Sequence, residues 1–104
     1  MSDFRIFRDL FLGFIKIHIL YHADKGEIYG ADFKEEIERH GYKISYGTLY
    51  PVFHKLAGSG LLKFELRNTD GKIRKYYTIT ALGRKFLKEV KQKVKELSSE
   101  IIME

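Results

Sequence analysis

The sequence predicts a mainly α-helical fold with one small β-hairpin. Apolar residues recur every three or four positions over several long segments, which is the periodicity of amphipathic helices. Two shorter segments alternate apolar and polar residues around an Asp-Gly pair, which is typical of a hairpin. The chain has 104 residues, 44% of them hydrophobic, with eight Phe and seven Tyr. This is enough for one domain, 1–104, with a modest core.

The first predicted helix covers residues 4–22. Its aromatic face carries Phe4, Phe7, Phe11, Phe14, His18 and Tyr21, and a neighbouring face carries Ile6, Leu10, Ile17 and Leu20. A helix that is apolar over so much of its surface has to be covered from two sides. Charged residues interrupt the segment, so we predict neither a membrane span nor a secretory signal. The sequence ADKGE then predicts a turn.

The second and third predicted helices form a helix-turn-helix. Tyr29, Phe33 and Ile37 mark the inner face of the second, over residues 29–40, and Gly41 suits a left-handed C-cap. Ser45 is a good N-cap for the third helix, with Thr48 as the alternative. Two helices joined by a short turn with a glycine are typical of this motif.

Two strands and a last helix complete the predicted order. The runs LLKFELR and KIRKYYTIT are joined by NTDG, and Thr80 caps a helix that extends to about residue 99 or beyond. A helix-turn-helix followed by a hairpin is the winged-helix arrangement. We therefore expect a winged helix-turn-helix at 1–80 and a dimerisation helix at 81–104. The apolar seam of that last helix comprises Leu87, Val90, Val94, Leu97 and Ile101.

The third helix carries Gly47 and Pro51, the two residue types least suited to a helix interior. On a helical wheel they lie together, opposite the apolar face of Leu49, Val52, Phe53 and Leu56. The exposed end of the helix is therefore smooth and edged by hydroxyl groups. Its free N–H groups and positive dipole suit a phosphate, as expected of a helix that enters a major groove.

These residues also resemble a known family. The runs SYGTLYPVFHKLAGSGLL and GKIRKYYTITALGRKFL resemble the PadR-like transcriptional regulators, which typically show a Gly-Thr-Leu-Tyr-Pro run, here residues 47–51. A Leu-x-x-x-Gly-Leu step at 56–61, a Lys-Tyr-Tyr strand at 75–80 and Gly83 follow in order. IYGADFKEEI resembles the helix that precedes them, with Phe33 in place of an aliphatic residue. The single short C-terminal helix is similar to that of a smaller subgroup.

The resemblance implies a homodimeric DNA-binding protein, usually a repressor, with its dimer interface on the first and last helices. In such a dimer the two third helices would enter successive major grooves about 34 Å apart, which predicts a partner in double-stranded DNA with a palindromic operator. Some members release DNA when a small aromatic or cationic compound binds. This chain has no Trp, the residue on which the subgroup stacks planar drugs, and that weakens the expectation of such sensing here.

The candidate site residues fall into two groups. The DNA-binding candidates are those of the third helix, Ser45, Tyr46, Gly47, Thr48, Tyr50, His54 and Lys55, and the cations of the wing, Lys63, Arg67, Lys72, Arg74 and Lys75. No Arg or Asn stands in clear position for bidentate base contact, so DNA shape is expected to contribute. The candidates for the dimer interface and a pocket for a small hydrophobic effector are Phe4, Phe7, Phe11, Phe14, Leu87, Val90, Val94, Leu97 and Ile101.

Other classes of function have less support. No paired carboxylates, nucleophile–base set or phosphate-binding glycine loop occurs, so we predict no enzyme and no cofactor. His18 and His22 could share a metal ion, but a third ligand at suitable spacing is missing, so no metal is predicted. The net charge of +5 and the absence of Cys fit a cytoplasmic DNA-binding protein. The alternatives are a protein-interaction module and a small-molecule-binding protein without a primary role on DNA.

Overall fold

The computed structural model describes residues 2–102, and its element order is the predicted one. The elements are α1 (Ser2–Lys25), α2 (Gly30–Arg39), α3 (Tyr46–Gly58), β1 (Leu62–Thr69), β2 (Lys72–Ile79) and α4 (Ala81–Ile101). The prediction of a mainly helical fold with one hairpin and a long last helix is confirmed. The predicted end of the first helix was wrong, because Ala23, Asp24 and Lys25 continue it. Ala23 is buried in the core, and Asp24 accepts a hydrogen bond from Arg84 of α4.

Glycines end both helices of the helix-turn-helix in the same way. Gly41 follows α2 with φ of 90° and Gly60 follows α3 with φ of 81°, a region that residues with a side chain rarely adopt. The next N–H after each glycine then turns back, from Tyr42 to the Ile37 carbonyl and from Leu61 to the Leu56 carbonyl. These are Schellman motifs, which satisfy the last carbonyls and set the direction of the chain that follows.

The hairpin closes through a two-residue turn. Thr69 pairs with Lys72, and Asp70 and Gly71 between them have φ of 52° and 82°. Positive φ at both central positions is the type I′ pattern, which matches the twist of the strands. The Asn68 side chain accepts a hydrogen bond from the Gly71 N–H at 3.1 Å. The hairpin, called the wing below, is thus a well-specified element of residues 62–79.

The core lies where α1, α2, α3 and the base of the wing meet. From α1 it takes Ile15, Ile19, Leu20 and Ala23. Residues 4–10 of α1 are all exposed, so this half of the helix projects from the core. The expected two-sided cover is therefore absent within one described chain. On the aromatic face Phe4, Phe7, Phe14 and Tyr21 are exposed, and only Phe11 and His18 pack inward, against Tyr42.

The last helix is anchored only at its beginning. The Thr80 hydroxyl accepts from the Gly83 N–H at 2.9 Å, as its predicted capping role requires, and lies 2.6 Å from the Gly60 carbonyl. Gly83 and Leu87 are buried. The rest of the predicted seam is half-buried at Val90 and exposed at Val94, Leu97 and Ile101. An apolar face is therefore left open along most of α4.

Candidate nucleic-acid interface

The third helix places its apolar residues inward and its candidate DNA-binding residues outward. Leu49, Val52, Phe53 and Leu56 are buried. The opposite face carries exposed Tyr46, Gly47, Tyr50, Pro51 and His54, with Thr48 half-buried at its edge. The predicted wheel for this helix is therefore correct.

Ser45 is the N-cap of α3. Its hydroxyl oxygen accepts from the Thr48 N–H at 3.2 Å, so the alternative start with Thr48 as the cap was wrong. With Ser45 as the cap, Pro51 lies inside the helix and cannot donate to the Gly47 carbonyl. The first turn contains no acidic side chain. The helix thus presents a solvent-facing N-terminal end whose dipole and early N–H groups favour an anion.

Two tyrosines form a stacked pair on this exposed face. The rings of Tyr46 and Tyr50 lie 5.4 Å apart with an interplanar angle of 14°. The Lys34 ammonium of α2 lies 5.3 Å from the centre of the Tyr46 ring. These contacts hold the two phenol groups beside the helix N-terminus, where they can donate to phosphate oxygens.

Gly30 allows the ring of Tyr50 to take its position, a role that the sequence alone does not reveal. A Cβ at Gly30 would lie 2.5 Å from Cε1 of Tyr50, so the absence of a side chain lets the ring lie against the start of α2. The glycine stood out in the sequence only as part of the family-like IYG run. Its spatial partner lies 20 positions later, so spacing along the chain carried no signal.

Arg67 joins the wing to the loop between α1 and α2. Its guanidinium contacts the Glu27 carboxylate through two nitrogens at 2.6 and 2.7 Å, also contacts Glu65, and lies 4.5 Å from the centre of the Tyr76 ring. Hydrogen bonding from Arg67 lowers the pKa of Glu27, and the two carboxylates raise the pKa of Arg67. The charge of this predicted DNA-binding residue is thus largely neutralised by its neighbours.

A backbone bridge reinforces this joint. Ile28 and Tyr77 exchange two hydrogen bonds of 2.9 and 2.7 Å, which form an isolated antiparallel bridge between the loop before α2 and β2. Tyr29 then packs against Tyr76 with ring centres 5.2 Å apart. The wing is therefore held at a fixed orientation beside the helix-turn-helix.

The remaining cations of the wing divide between its two faces. Lys63, Lys72 and Arg74 share one face with Arg67, and Lys75 lies on the other. The Arg74 guanidinium lies 4.7 Å from the centre of the Tyr29 ring, and the Lys75 ammonium lies 4.6 Å from that of Phe64. Cations stacked on rings in this way lose less freedom when they bind an anion.

A cleft of about 350 Å³ lies between α3 and the wing, and residues from both halves of the candidate site line it. Tyr50 and His54 line it from α3, and Arg74 and Lys75 line it from β2. The described residues around this cleft include no carboxylate. Lys55 lies elsewhere, in a groove between α1, α3 and α4, so the structure does not join it to this group.

The candidate interface and effector residues fall into two grooves. Leu87, Val90 and Val94 line a groove of about 710 Å³ between α1 and α4, whereas Phe4, Phe7 and Phe11 line another, of about 370 Å³, beside Lys43. The expected single pocket that combines both sets is not formed within one described chain. Phe14, Leu97 and Ile101 are exposed outside these two grooves.

Three histidines meet at one end of the larger groove. The ring of His18 lies 6.4 Å from that of His22 and 6.0 Å from that of His40. Burial, and then the two neighbouring imidazoles, lower the pKa of His18. Within residues 2–102, no group of three or more His, Cys, Asp or Glu side chains is placed to hold a metal ion. Over the same residues, no helix is long and apolar enough to cross a membrane.

Comparison with known proteins decides the family. The model of the family described as "Transcriptional regulator PadR-like family" matches residues 19–89. The chain is a member of the PadR-like family. As a PadR-like protein it is a transcriptional regulator and not an enzyme, and its winged helix is the DNA-binding unit of that family.

Relatives of this PadR-like chain extend the match. The transcriptional regulator Rv3488 of Mycobacterium tuberculosis is 43% identical over 88 residues, which are 85% of this chain and 82% of the relative. A PadR-like transcription factor of Bacteroides fragilis has a structure that is similar with a TM-score of 0.82 and 28% identity, over 93% of this chain and 95% of that one. The structure of a PadR family transcriptional regulator of Eggerthella lenta is similar with a TM-score of 0.78 and 30% identity, over 97% of this chain and 93% of that one.

Proposed function

We propose that this PadR-like regulator is a homodimeric repressor that acts in the cytoplasm on a palindromic operator in double-stranded DNA. The observation that carries the proposal is the cleft that places the exposed end of α3 and the cationic wing side by side. In this arrangement the N-terminal end of α3 enters the major groove, and the wing contacts the adjacent phosphates.

The contacts that we assign differ in kind. Ser45, Gly47 and Thr48 bring the helix N-terminus close to a phosphate, while Tyr46 and Tyr50 donate hydroxyl groups beside it. The DNA strand that crosses the cleft is contacted by His54, Arg74 and Lys75. Lys63 and Lys72 add positive charge along the wing. Arg67 acts indirectly in this proposal, because its carboxylate partners already hold it and it fixes the direction of the wing.

Dimerisation is supported by the apolar surface that one chain leaves open. Phe4, Phe7 and Leu10 on α1 and Leu97 and Ile101 on α4 are all more than half exposed. Large exposed apolar patches mark interaction sites, and a second copy offers the same two helices. A twofold pair would present two α3 helices to successive major grooves about 34 Å apart.

The groove between α1 and α4 is the site that we assign to a small hydrophobic effector. Ile17, Tyr21, Val90 and Val94 supply apolar walls, and the groove adjoins the proposed dimer interface. A ligand there would change the angle between the two chains, and so the spacing of the two α3 helices. Repression would then be relieved without any contact between ligand and DNA.

Charge reversal on the wing tests the DNA-binding proposal. We expect Lys72→Glu and Lys75→Glu to weaken duplex binding at least tenfold and to flatten its salt dependence between about 50 and 200 mM salt. Lys88→Glu on α4 makes the same charge change and should leave the affinity unchanged. The measurement is fluorescence anisotropy with duplexes selected from random DNA. If the wing variants bind like the wild type, the wing is not part of the DNA interface, and if affinity barely falls with salt, the phosphate contacts are wrong. If the wild type binds no duplex at all, the chain is a protein-interaction module instead.

A further inference from the structure

One face of the wing remains apolar beyond the end of the core. Leu62, Tyr77 and Ile79 are buried at the base of the hairpin. Further out on the same face, Leu66 is 61% exposed and Ile73 is 71% exposed. Burial in the folded chain therefore does not explain why these two outer positions are apolar.

The strand register places these side chains together. Leu66 pairs with Lys75, and Asn68 pairs with Ile73, on the face that also carries the pair Phe64 and Tyr77. Leu66 and Ile73 are therefore diagonal neighbours on this face, and such neighbours lie about 7–8 Å apart, still within reach of long side chains. Together they form an apolar ridge near the tip, which we call the wing ridge.

The charges around the wing ridge are mostly positive. Lys75 shares its face, and Lys72 and Arg74 flank Ile73 along β2 with their side chains on the opposite face. Of the nearby carboxylates, Glu65 also lies on the opposite face and is held by Arg67, and Asp70 lies in the turn at the tip. The ridge also continues into the cleft beside α3, because Ile73 lines that cleft with Tyr50 and His54. An apolar ridge set among cations fits a partner that is negatively charged at its edges and flat and apolar inside.

We propose that the wing ridge is an apolar wedge that enters the minor groove flanking each operator half-site and partly unstacks one base step. This inference rests on the proposed function. Leu and Ile are among the side chains that proteins insert between base pairs from the minor groove, with cations on the phosphates at either side. Pyrimidine–purine steps unstack at the lowest cost, so the ridge selects operators that carry such a step where the wing lands. Specificity then arises without the bidentate base contacts that α3 lacks.

The test uses 2-aminopurine placed in turn at each flank position of a duplex that the wild-type protein selects from random DNA. We expect one flank position on each side to brighten on binding, because its base loses its stacking partner. Leu66→Ser and Ile73→Ser should remove that signal and lower the affinity about tenfold, while the slope of affinity against salt stays the same. Ile73→Leu should keep the signal, and Thr69→Ser on the opposite face serves as the matched control.

The outcomes separate this inference from the proposed function. If wild-type protein binds the duplex but no flank position brightens, or if the serine variants retain both signal and affinity, the wedge is wrong and DNA binding stands. If the serine variants instead lose a higher-order assembly in sedimentation, the ridge contacts a second copy and the wedge is again wrong. If the wild type selects no duplex at all, the proposed function itself fails.

Discussion

Gly47 stands where neither packing nor backbone conformation demands a glycine. Its φ is not positive, and a Cβ built there would meet only the Ser45 hydroxyl oxygen, at an ordinary 3.8 Å. Glycine costs helix stability relative to alanine, by roughly 1 kcal/mol in an interior position. The stability of the chain would therefore gain from a side chain at this position, which suggests that glycine serves close approach to a ligand.

We expect Gly47→Ala to raise the free energy of unfolding by up to about 1 kcal/mol and to weaken duplex binding. Gly58→Ala is the matched control, since it lies at the other end of α3 and a Cβ there meets nothing within 4 Å. Urea unfolding and anisotropy with the selected duplex measure the two effects. Equal DNA affinity in both variants would remove Gly47 from the interface.

Gly30 has the opposite character, because a side chain there collides with a movable neighbour. Its Cβ would lie 2.5 Å from Cε1 of Tyr50, and that exposed ring can swing away. At Gly83 the collision is with the backbone, 2.1 Å from the Leu61 carbonyl oxygen, so no such escape exists. We therefore expect a side chain at Gly30 to reduce DNA binding and a side chain at Gly83 to destabilise the fold.

We expect Gly30→Ala to leave the melting temperature within a few degrees of the wild type and to lower DNA affinity as much as Tyr50→Ala does. The double variant should lose no more than either single variant, because both changes remove the same placed ring. Anisotropy on the four proteins completes the cycle. Additive losses would show that Gly30 and Tyr50 act independently, and the positioning role would be wrong.

The clamp of Arg67 on Glu27 helps to set the orientation of the wing. Glu27 and Glu65 hold Arg67, and the bridge between Ile28 and Tyr77 lies next to this contact. The pKa of Glu27 is lowered in the folded chain, so its contact stabilises the fold fully above its unfolded pKa, near pH 4.5. That stabilisation is lost as the pH falls through the lower folded value.

We therefore expect Glu27→Gln to lower the melting temperature at pH 7, and this difference from the wild type to shrink as the pH falls below about 4.5. Hydrogen exchange at the Tyr77 amide should accelerate at pH 7, because this N–H donates to the Ile28 carbonyl in the loop that the variant loosens. Glu89→Gln on α4 removes the same charge as a control. A difference in melting temperature that does not change with pH would exclude the charged contact as its cause.

Elements whose signals are local were predictable from the sequence, and those set by distant contacts were not. Ser45, Thr80 and Asp70–Gly71 act through bonds to residues within three positions, and their roles as caps and turn followed from residue type. The clamp of Arg67 on Glu27 spans 40 positions, so Arg67 looked like one more cation of the wing. The grooves lined by α1 likewise depend on how far this helix extends beyond the core, and the spacing of apolar residues along the sequence does not determine that length.

At the scale of the whole molecule, one chain leaves large apolar side chains exposed along both of its terminal helices. These side chains include Phe4 and Phe7 of α1, Leu97 and Ile101 of α4, and Ile102 just after α4. Only the first part of α4 is anchored, through Gly83 and Leu87. A long helix anchored at one end, with an apolar seam on the remainder, is stable in water if a second chain covers that seam.

We expect Val94→Glu to convert the proposed dimer into a folded monomer. Val94 is 46% exposed in one chain, so the carboxylate would remain in water in the monomer, whereas in the dimer it would enter an apolar interface without a partner. Gln92→Glu on the same helix adds the same charge and should leave the dimer intact. Sedimentation gives the assembly state, and circular dichroism gives the helix content.

Because a monomer contacts one half-site, its affinity for the selected duplex should fall by orders of magnitude, with about half the salt slope. A Val94→Glu dimer with normal DNA affinity would remove α4 from the interface.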